Sequence, residues 1–187
     1  MLAFPRKLIR LAMRCAFALL LVTGLSMPLP AFADDAAMEY QVKAAFLYNF
    51  SRFVNWPGAL DNTFRLCVIG QNPFETLLDG LIGKSVHDSI MVVETHDSTD
   101  TVHDCQVLFI SRSLEPELDT IITAIDGLPI LTVSDIASFT DAGGMIGLGI
   151  VNNKIRFEIN TDAAGRAGLS ISSKLLSLAT VVRMEPR

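Results

Sequence analysis

Three histidines and three aspartates lie close together in the chain and belong to the residue types that bind metals. Imidazole and carboxylate groups hold a divalent cation when they recur at the short, fixed spacings of a ligand motif. The spacing of these six residues matches no such motif, so a solvent-exposed polar loop explains them better. We therefore predict no metal site and no cofactor. The six residues are His87, His96, His103, Asp97, Asp100 and Asp104.

A group of serines next to a lysine resembles the residue set of serine–lysine catalysis. A Ser-x-x-Lys arrangement with Lys174 needs a serine at position 171, where the chain has Ile171. Ser170, Ser172 and Ser173 are instead typical of helix caps. The carboxylates near predicted element ends show no spacing that implies shared acid–base chemistry. These are Glu75, Asp79, Asp135, Asp141 and Glu158. We predict no catalytic residue and no enzyme; use of Ser172 or Ser173 with Lys174 is the enzymatic alternative.

Two segments that contain glycine have the composition of ligand-binding loops. Residues 143–149 (GGMIGLG) lead into a predicted hairpin instead of a helix N-terminus, so they should not hold a dinucleotide. Residues 70–73 (GQNP) join a predicted strand to a predicted helix, which is a better place for an anion or a small ligand. Such junctions occur in every α/β fold. A small-molecule pocket near residues 70–73 is therefore an alternative function.

The N-terminal residues have the three-part layout of a secretory signal peptide. Residues 1–14 carry four basic side chains and no acidic one, residues 15–22 are apolar, and residues 31–33 read Ala-Phe-Ala. We predict cleavage after Ala33 and export of residues 34–187. The alternative is an uncleaved membrane anchor, because no charge occurs between Arg14 and Asp34.

The exported chain is acidic and large enough for one hydrophobic core. Removal of residues 1–33 takes four of the 15 basic groups and none of the 20 acidic groups, which leaves a net charge of about −9. This charge argues against nucleic acid or an anionic membrane surface as the partner. Roughly 154 residues are left, which predicts a single domain.

Two cysteines, Cys67 and Cys105, are left after the loss of Cys15 with the signal peptide. In an oxidising compartment two such thiols usually form one disulfide. The alternative is a pair of unbonded, buried cysteines that pack as small apolar side chains.

The alternation of strand and helix patterns indicates an α/β fold. We predict a single three-layer domain in which helices cover both faces of a mostly parallel sheet. The predicted helices are residues 36–56, 73–81 and 114–125, with a short turn capped by Ser134 or Asp135. The predicted strands are residues 64–70, 89–95, 105–111 and 129–133.

The chain is predicted to close with an antiparallel hairpin at the edge of this sheet. Residues 145–151 and 154–159 favour strands, and Asn152-Asn153 between them tolerates the positive φ of a tight turn. Arg156 and Glu158 should project from one face of the hairpin. A short helix at residues 163–167 is expected to follow, ended by Gly168, and then a second helix from Ser170 or Ser172 to residue 182.

Several blocks of this sequence, in this order, resemble the YfiR family of exported bacterial proteins. They cover nearly all of residues 42–182. The blocks are VKAAFLYNFSRFVNWP, LCVIGQNPF, CQVLFIS, ILTVSD, GGMIGLGIVNNKIRFEIN and AGRAGLSISSKLLSLA.

The resemblance implies a small periplasmic α/β protein that regulates by binding. Such a protein binds the periplasmic domain of an inner-membrane diguanylate cyclase and holds it inactive, and it is often a homodimer. An outer-membrane lipoprotein with a peptidoglycan-binding domain sequesters it, which releases cyclic di-GMP synthesis and favours biofilm formation.

The resemblance also implies roles for individual residues. Cys67 and Cys105 match the disulfide between strands in the family, whereas the second cysteine pair of some members is missing here. The repressing surface would include the hairpin and the helix after it. Ile146, Glu158 and Ala164 are therefore the residues expected to contact the partner.

Overall fold

The structure is a computed structural model that describes residues 32–58 and 60–182. Apart from its last two positions, the predicted signal peptide lies outside these residues. The chain divides into two units, Met1–Ala33 and Asp34–Arg187, and the sheet and the sites below belong to the second unit. Within the two described ranges, no helix is both long enough and apolar enough to span a membrane.

In the described part of the chain, eight strands form one mixed sheet, and two short strands form a separate antiparallel pair. In chain order the strands are β1 Val54–Asn55, β2 Thr63–Ile69, β3 Ser85–Val86, β4 Ser89–His96, β5 Val107–Ile110, β6 Leu131–Ser134, β7 Ile146–Val151, β8 Lys154–Asn160, β9 Ser170–Ile171 and β10 Thr180–Val182. The order across the sheet is β10-β8-β7-β6-β5-β2-β4-β3. Among the described strands of this eight-stranded sheet, only β7–β8 and β3–β4 are antiparallel neighbours. The prediction of an α/β fold with a mostly parallel sheet is confirmed.

The central strands are buried on both faces, which explains their nearly continuous apolar sequences. Leu66 and Val68 of β2 belong to one buried cluster, whereas Cys67 and Ile69 belong to another. Since side chains alternate along a strand, the two clusters lie on opposite faces of the sheet. Helix α1, Phe32–Phe53, packs in the first cluster and helix α2, Leu118–Ala124, in the second. The helices are α1 Phe32–Phe53, α2 Leu118–Ala124, α3 Thr161–Arg166 and α4 Ser173–Leu176.

Strands β7 and β8 are joined by the predicted asparagine turn. Asn152 and Asn153 have φ values of 51° and 58°, the left-handed region that asparagine tolerates. After β8, the Asn160 side chain accepts a hydrogen bond from the Ala163 N–H and caps α3. Gly168, with φ of 72°, follows the end of this helix, as predicted.

The hairpin does not form the edge of the sheet, contrary to the prediction. Strand β10 lies outside it and pairs in parallel with β8. The segment expected to continue as a helix to residue 182 instead forms β9, the four-residue α4 and β10. Thr180, Val181 and Val182 are β-branched, and the open edge of β8 offers them backbone partners. This long-range pairing outweighs the helical spacing of the leucines.

Three other predicted helices differ from the prediction in their bounds or in their type. The first ends at Phe53, because Val54 and Asn55 pair with Ile171 and Ser170. Residues 73–81 form turns and a 3-10 helix, Asp79–Leu81, instead of an α-helix. The predicted helix at residues 114–125 begins as a 3-10 helix, Arg112–Glu117, before α2.

Candidate functional site

The β7–β8 hairpin has one face in the core and one face that is largely open. Leu148 lies opposite Phe157, and both are buried in the cluster that contains α1. On the other face Gly147 lies opposite Glu158, and Gly149 lies opposite Arg156. Glu158 and Arg156 are exposed, as the alternation of their sequence predicted.

The open face is the floor of a groove of about 470 Å³. Gly147 and Gly149 leave this floor without side chains, and a Cβ atom added to Gly149 would meet nothing within 4 Å. The apolar residues Val151 and Leu178 line the groove and are 54% and 65% exposed. We call this feature the hairpin groove, defined by Gly147, Gly149, Val151, Arg156, Glu158 and Leu178.

Glu158 has a fixed position in the hairpin groove. The Thr140 hydroxyl donates a hydrogen bond of 3.1 Å to Glu158 Oε2. Thr140 is itself buried, and its carbonyl oxygen accepts a hydrogen bond from the Asn160 side chain. The carboxylate is therefore held by the same residue that ties the end of β8 to the preceding turn.

The structure does not bring the three predicted contact residues onto one surface. Ile146 and Ala164 are 0% and 1% exposed and lie in the cluster under the hairpin. Glu158 lies on the opposite, open face. Sequence reasoning missed Gly149, Val151 and Leu178 as groove residues. The signal was present, because the glycines of β7 alternate with apolar residues and so fall on one face.

A second polar site lies at the carboxyl ends of the parallel strands. The Lys43 ammonium group is buried, donates to Asp135 Oδ2 at 2.6 Å and forms an ion pair with Glu39. The Tyr40 hydroxyl donates to the same Asp135 oxygen at 2.9 Å. Burial, followed by this hydrogen bond, raises the pKa of Tyr40 above its usual value.

Asp135 has a different role from the predicted helix cap. Its carboxylate neutralises Lys43, while the Ser134 hydroxyl accepts from the Ile136 N–H. Arg112 Nη2 donates to the Asp135 carbonyl oxygen at 2.9 Å. Cavities of about 470 and 480 Å³ share Arg112 in their walls, and Gln71, Asn72 and Pro73 line the second. The predicted junction at residues 70–73 therefore does border a cavity.

The two cysteines form the expected disulfide. Cys67 and Cys105 are bonded, with their Cα atoms 6.0 Å apart. Cys67 lies in β2, and Cys105 precedes β5, its neighbour in the sheet. The pairing is therefore confirmed, and the alternative of two unbonded cysteines is wrong.

The serine–lysine group is used for local structure. The Ser172 hydroxyl accepts a hydrogen bond of 3.3 Å from the Leu175 N–H and caps α4. The Lys174 ammonium group lies 5.2 Å from the centre of the Phe53 ring. These contacts support the interpretation of Ser172 as a cap.

Comparisons with known proteins agree with this fold. A solved structure described as a conserved domain protein from Vibrio cholerae O1 biovar eltor strain N16961 matches with a TM-score of 0.52 and 13% sequence identity. The match covers 78% of this chain and 60% of the other, and at this identity it indicates a shared fold. The family model described as YfiR/HmsC-like matches residues 40–180, which is most of the chain. The protein therefore belongs to the YfiR/HmsC-like family.

Proposed function

We propose that this protein is exported and represses a membrane diguanylate cyclase by binding the periplasmic domain of that enzyme. At the level of the family, membership supports a periplasmic regulator of cyclic di-GMP signalling and not an enzyme. In this proposal residues 1–33 form the signal peptide, and residues 34–187 form the regulatory domain. The bound protein favours the inactive conformation of the cyclase, and its release shifts the population towards the active one.

The hairpin groove is the observation that carries the proposed binding surface. Interfaces of regulatory proteins combine exposed apolar residues with a few charged groups that set orientation. Val151 and Leu178 supply the apolar part, and Arg156 and Glu158 supply one charge of each sign. The space above Gly149 admits a side chain of the partner.

The three predicted contact residues take different parts in this proposal. Glu158 contacts the cyclase directly, because it is exposed and held by Thr140. Ile146 and Ala164 act from below, since both are buried in the cluster that supports the hairpin and α3. A change at either position would alter the shape of the surface above it.

The wider scheme follows from the resemblance. The protein acts as a homodimer, and an outer-membrane peptidoglycan-binding lipoprotein competes with the cyclase for it. Capture by the lipoprotein would raise intracellular cyclic di-GMP and favour biofilm formation.

Filling the hairpin groove tests this function. Gly149→Leu places a side chain in open space within a strand, so the fold should be kept while the partner is excluded. In a strain that lacks the protein, the wild type should lower cyclic di-GMP and the variant should not. Gly80→Leu is the matched control, because a Cβ atom there also meets nothing within 4 Å, far from the hairpin in sequence.

A photo-crosslinking residue at position 158 identifies the partner. We expect it to capture an inner-membrane protein that carries a diguanylate cyclase domain. If deletion of the protein leaves cyclic di-GMP unchanged, the proposed function is wrong. If deletion raises cyclic di-GMP but Gly149→Leu still represses, the function stands and the binding surface is elsewhere.

A second candidate function is small-molecule binding at the strand ends. It is favoured by the cavity of about 480 Å³ that Gln71, Asn72 and Arg112 line. Ligands of α/β proteins bind at the carboxyl ends of parallel strands, which is where this cavity lies. Native mass spectrometry of protein purified from the periplasm should then show a bound small molecule that is lost in Arg112→Ala.

A further inference from the structure

The side chain of His96 lies next to the disulfide, although a disulfide needs no histidine to form. His96 Nε2 is 3.8 Å from Cys105 Sγ. The ligand-type atoms of Cys67, His96 and Cys105 all lie within 4.8 Å of one another. Cys67 and Cys105 are almost fully buried, and the His96 side chain is only 13% exposed. Two sulfur atoms and one imidazole nitrogen are thus held together in a largely water-free place.

The sheet and one short turn hold this group in position. Strands β2 and β4 are parallel neighbours, with Cys67 opposite Glu94 and Ile69 opposite His96. The 3-10 helix Thr99–Thr101 follows β4 and brings the Thr101 hydroxyl within 2.9 Å of His96 Nδ1. The orientation of the His96 ring is therefore fixed by strand β4, which carries it, and by Thr101 in the turn that follows.

The hydrogen bonds of Thr101 determine which ring nitrogen carries the proton. The Thr101 hydroxyl donates to the Ser98 carbonyl oxygen at 3.0 Å, so its oxygen accepts from His96 Nδ1–H. In the neutral ring, the lone pair of Nε2 then faces Cys105. A metal-binding histidine is held in this way, with its second nitrogen bonded to a fixed acceptor.

We propose that Cys67, Cys105 and His96 form a Zn²⁺ site when the disulfide is reduced. A dithiol reductant transfers two electrons, so that the S–S bond breaks, two protein thiols form and the reductant becomes a disulfide. Zn²⁺ then displaces both thiol protons and binds two thiolates and Nε2, with water as the fourth ligand. Two sulfurs and one nitrogen suit Zn²⁺ among divalent metals.

The distance between His96 and Cys105 in the oxidised protein is close to the one that the metal needs. A nitrogen and a sulfur bound to one tetrahedral Zn²⁺ are about 3.6 Å apart, and Nε2 and Cys105 Sγ are already 3.8 Å apart. Two thiolates bound to the same ion are about 3.8 Å apart, which the sulfurs can reach once their bond is broken. Reduction therefore changes the sulfur separation more than the histidine position.

The surrounding charges favour a divalent cation. Glu94 Oε2 lies 3.4 Å from His96 Nε2, and its other oxygen pairs with Arg65 at 3.3 Å. With two thiolates, Glu94, Arg65 and Zn²⁺, the local formal charge is zero. Without a metal, a neutral His96 has its unprotonated Nε2 beside this carboxylate oxygen, with no hydrogen atom between the two. The exposed Asp97, Asp100 and Asp104 next to the site attract cations.

Binding of Co²⁺, a spectroscopic substitute for Zn²⁺, tests the site. The purified protein is reduced with a phosphine under nitrogen, freed of reductant and titrated with Co²⁺. We expect one ion per reduced chain, with sulfur-to-metal charge-transfer absorption and the intense visible bands of tetrahedral Co²⁺. Zn²⁺ should displace it and raise the melting temperature of the reduced protein but not of the oxidised protein.

Two histidine variants distinguish a built site from adventitious binding. His96→Ala keeps both cysteines and should raise the Kd for Co²⁺ by at least about tenfold. His103→Ala, which removes an exposed histidine outside the group, should leave the Kd unchanged. The proposal is overturned if the reduced protein binds no Co²⁺, if both variants bind it equally, or if the oxidised protein binds it as well. Reduced protein that unfolds and is not refolded by Zn²⁺ also overturns it.

Discussion

Tyr40, Lys43 and Asp135 form a polar cluster in the otherwise apolar contact between α1 and the end of β6. The Asp135 side chain is 1% exposed and the Lys43 side chain 2% exposed, so neither charge is solvated by bulk water. A buried pair of this kind contributes little net stability, but removal of one partner leaves the other charge without compensation. Among the described residues, Asp135 Oδ1 is a buried side-chain oxygen without a hydrogen-bond donor. The cluster therefore constrains how α1 meets the end of β6 more than it strengthens the fold.

The raised pKa of Tyr40 predicts a specific loss of stability in alkali. In the unfolded chain Tyr40 ionises near its usual pKa of about 10, whereas the folded protein keeps it protonated to higher pH. Its contribution to stability is complete below about pH 10 and falls as pH rises towards the folded-state pKa. We expect the free energy of unfolding, measured in urea, to decrease more steeply above this pH in the wild type than in Tyr40→Phe.

The comparison with Tyr40→Phe separates this residue from the other groups that ionise in alkali. Tyr48→Phe is a suitable control, because the Tyr48 ring packs against the hydrophobic cluster and makes cation–π contacts with Lys84 and Arg52. If the free energy of unfolding fell equally steeply with pH in the wild type and in Tyr40→Phe, Tyr40 would not titrate differently in the folded and unfolded states.

At the scale of elements, the turn between β6 and β7 depends on a close approach of backbone to an aromatic ring. A Cβ atom at Gly144 would lie 2.2 Å from Cε1 of Phe139, whose side chain is buried. We expect Gly144→Ala to destabilise the protein by about 1–3 kcal/mol, because either the ring or the strand must move. Thermal or urea unfolding followed by circular dichroism measures this loss.

The neighbouring glycine provides a matched control for this turn. A Cβ atom at Gly147 would make only ordinary contacts, the nearest at 3.5 Å from Thr140 Cγ2. Gly147→Ala should therefore be tolerated. Phe139→Leu combined with Gly144→Ala should recover part of the lost stability, since a smaller side chain frees the space. An unchanged stability of Gly144→Ala alone would show that the ring moves without cost.

At the scale of the whole molecule, the disulfide ties together the middle of the sheet. It joins residues 38 positions apart and crosses β3 and β4 in the sequence. In the chain-entropy model, a loop of this length contributes about 4 kcal/mol by restricting the unfolded chain. We expect Cys67→Ala with Cys105→Ala to lose stability of this order in urea unfolding. Wild-type protein reduced in the presence of a chelator should lose a similar amount, and a loss below about 1 kcal/mol would contradict the model.

The sequence by itself determined several of the local elements and the family. Apolar runs such as LCVI and VLFI indicated buried strands, Asn152-Asn153 indicated the turn, and Gly168 indicated the end of a short helix. These signals are local, because backbone preference and burial on alternate faces act between residues that are close in sequence. With only Cys67 and Cys105 left after the predicted cleavage, the sequence similarly allowed one disulfide within the chain.

Only the tertiary structure decided which distant residues meet. Lys43 lies within the helix predicted at residues 36–56, but only the fold places its ammonium group against Asp135, 92 positions away. His96 was predicted to lie in a polar loop, whereas the pairing of β2 with β4 places it beside Cys105. Strand β10 replaced a predicted helix because the edge of β8 was open. Contacts between distant residues depend on packing and on which backbone N–H and C=O groups of other strands are still unpaired. They therefore cannot be predicted from a local pattern of residues.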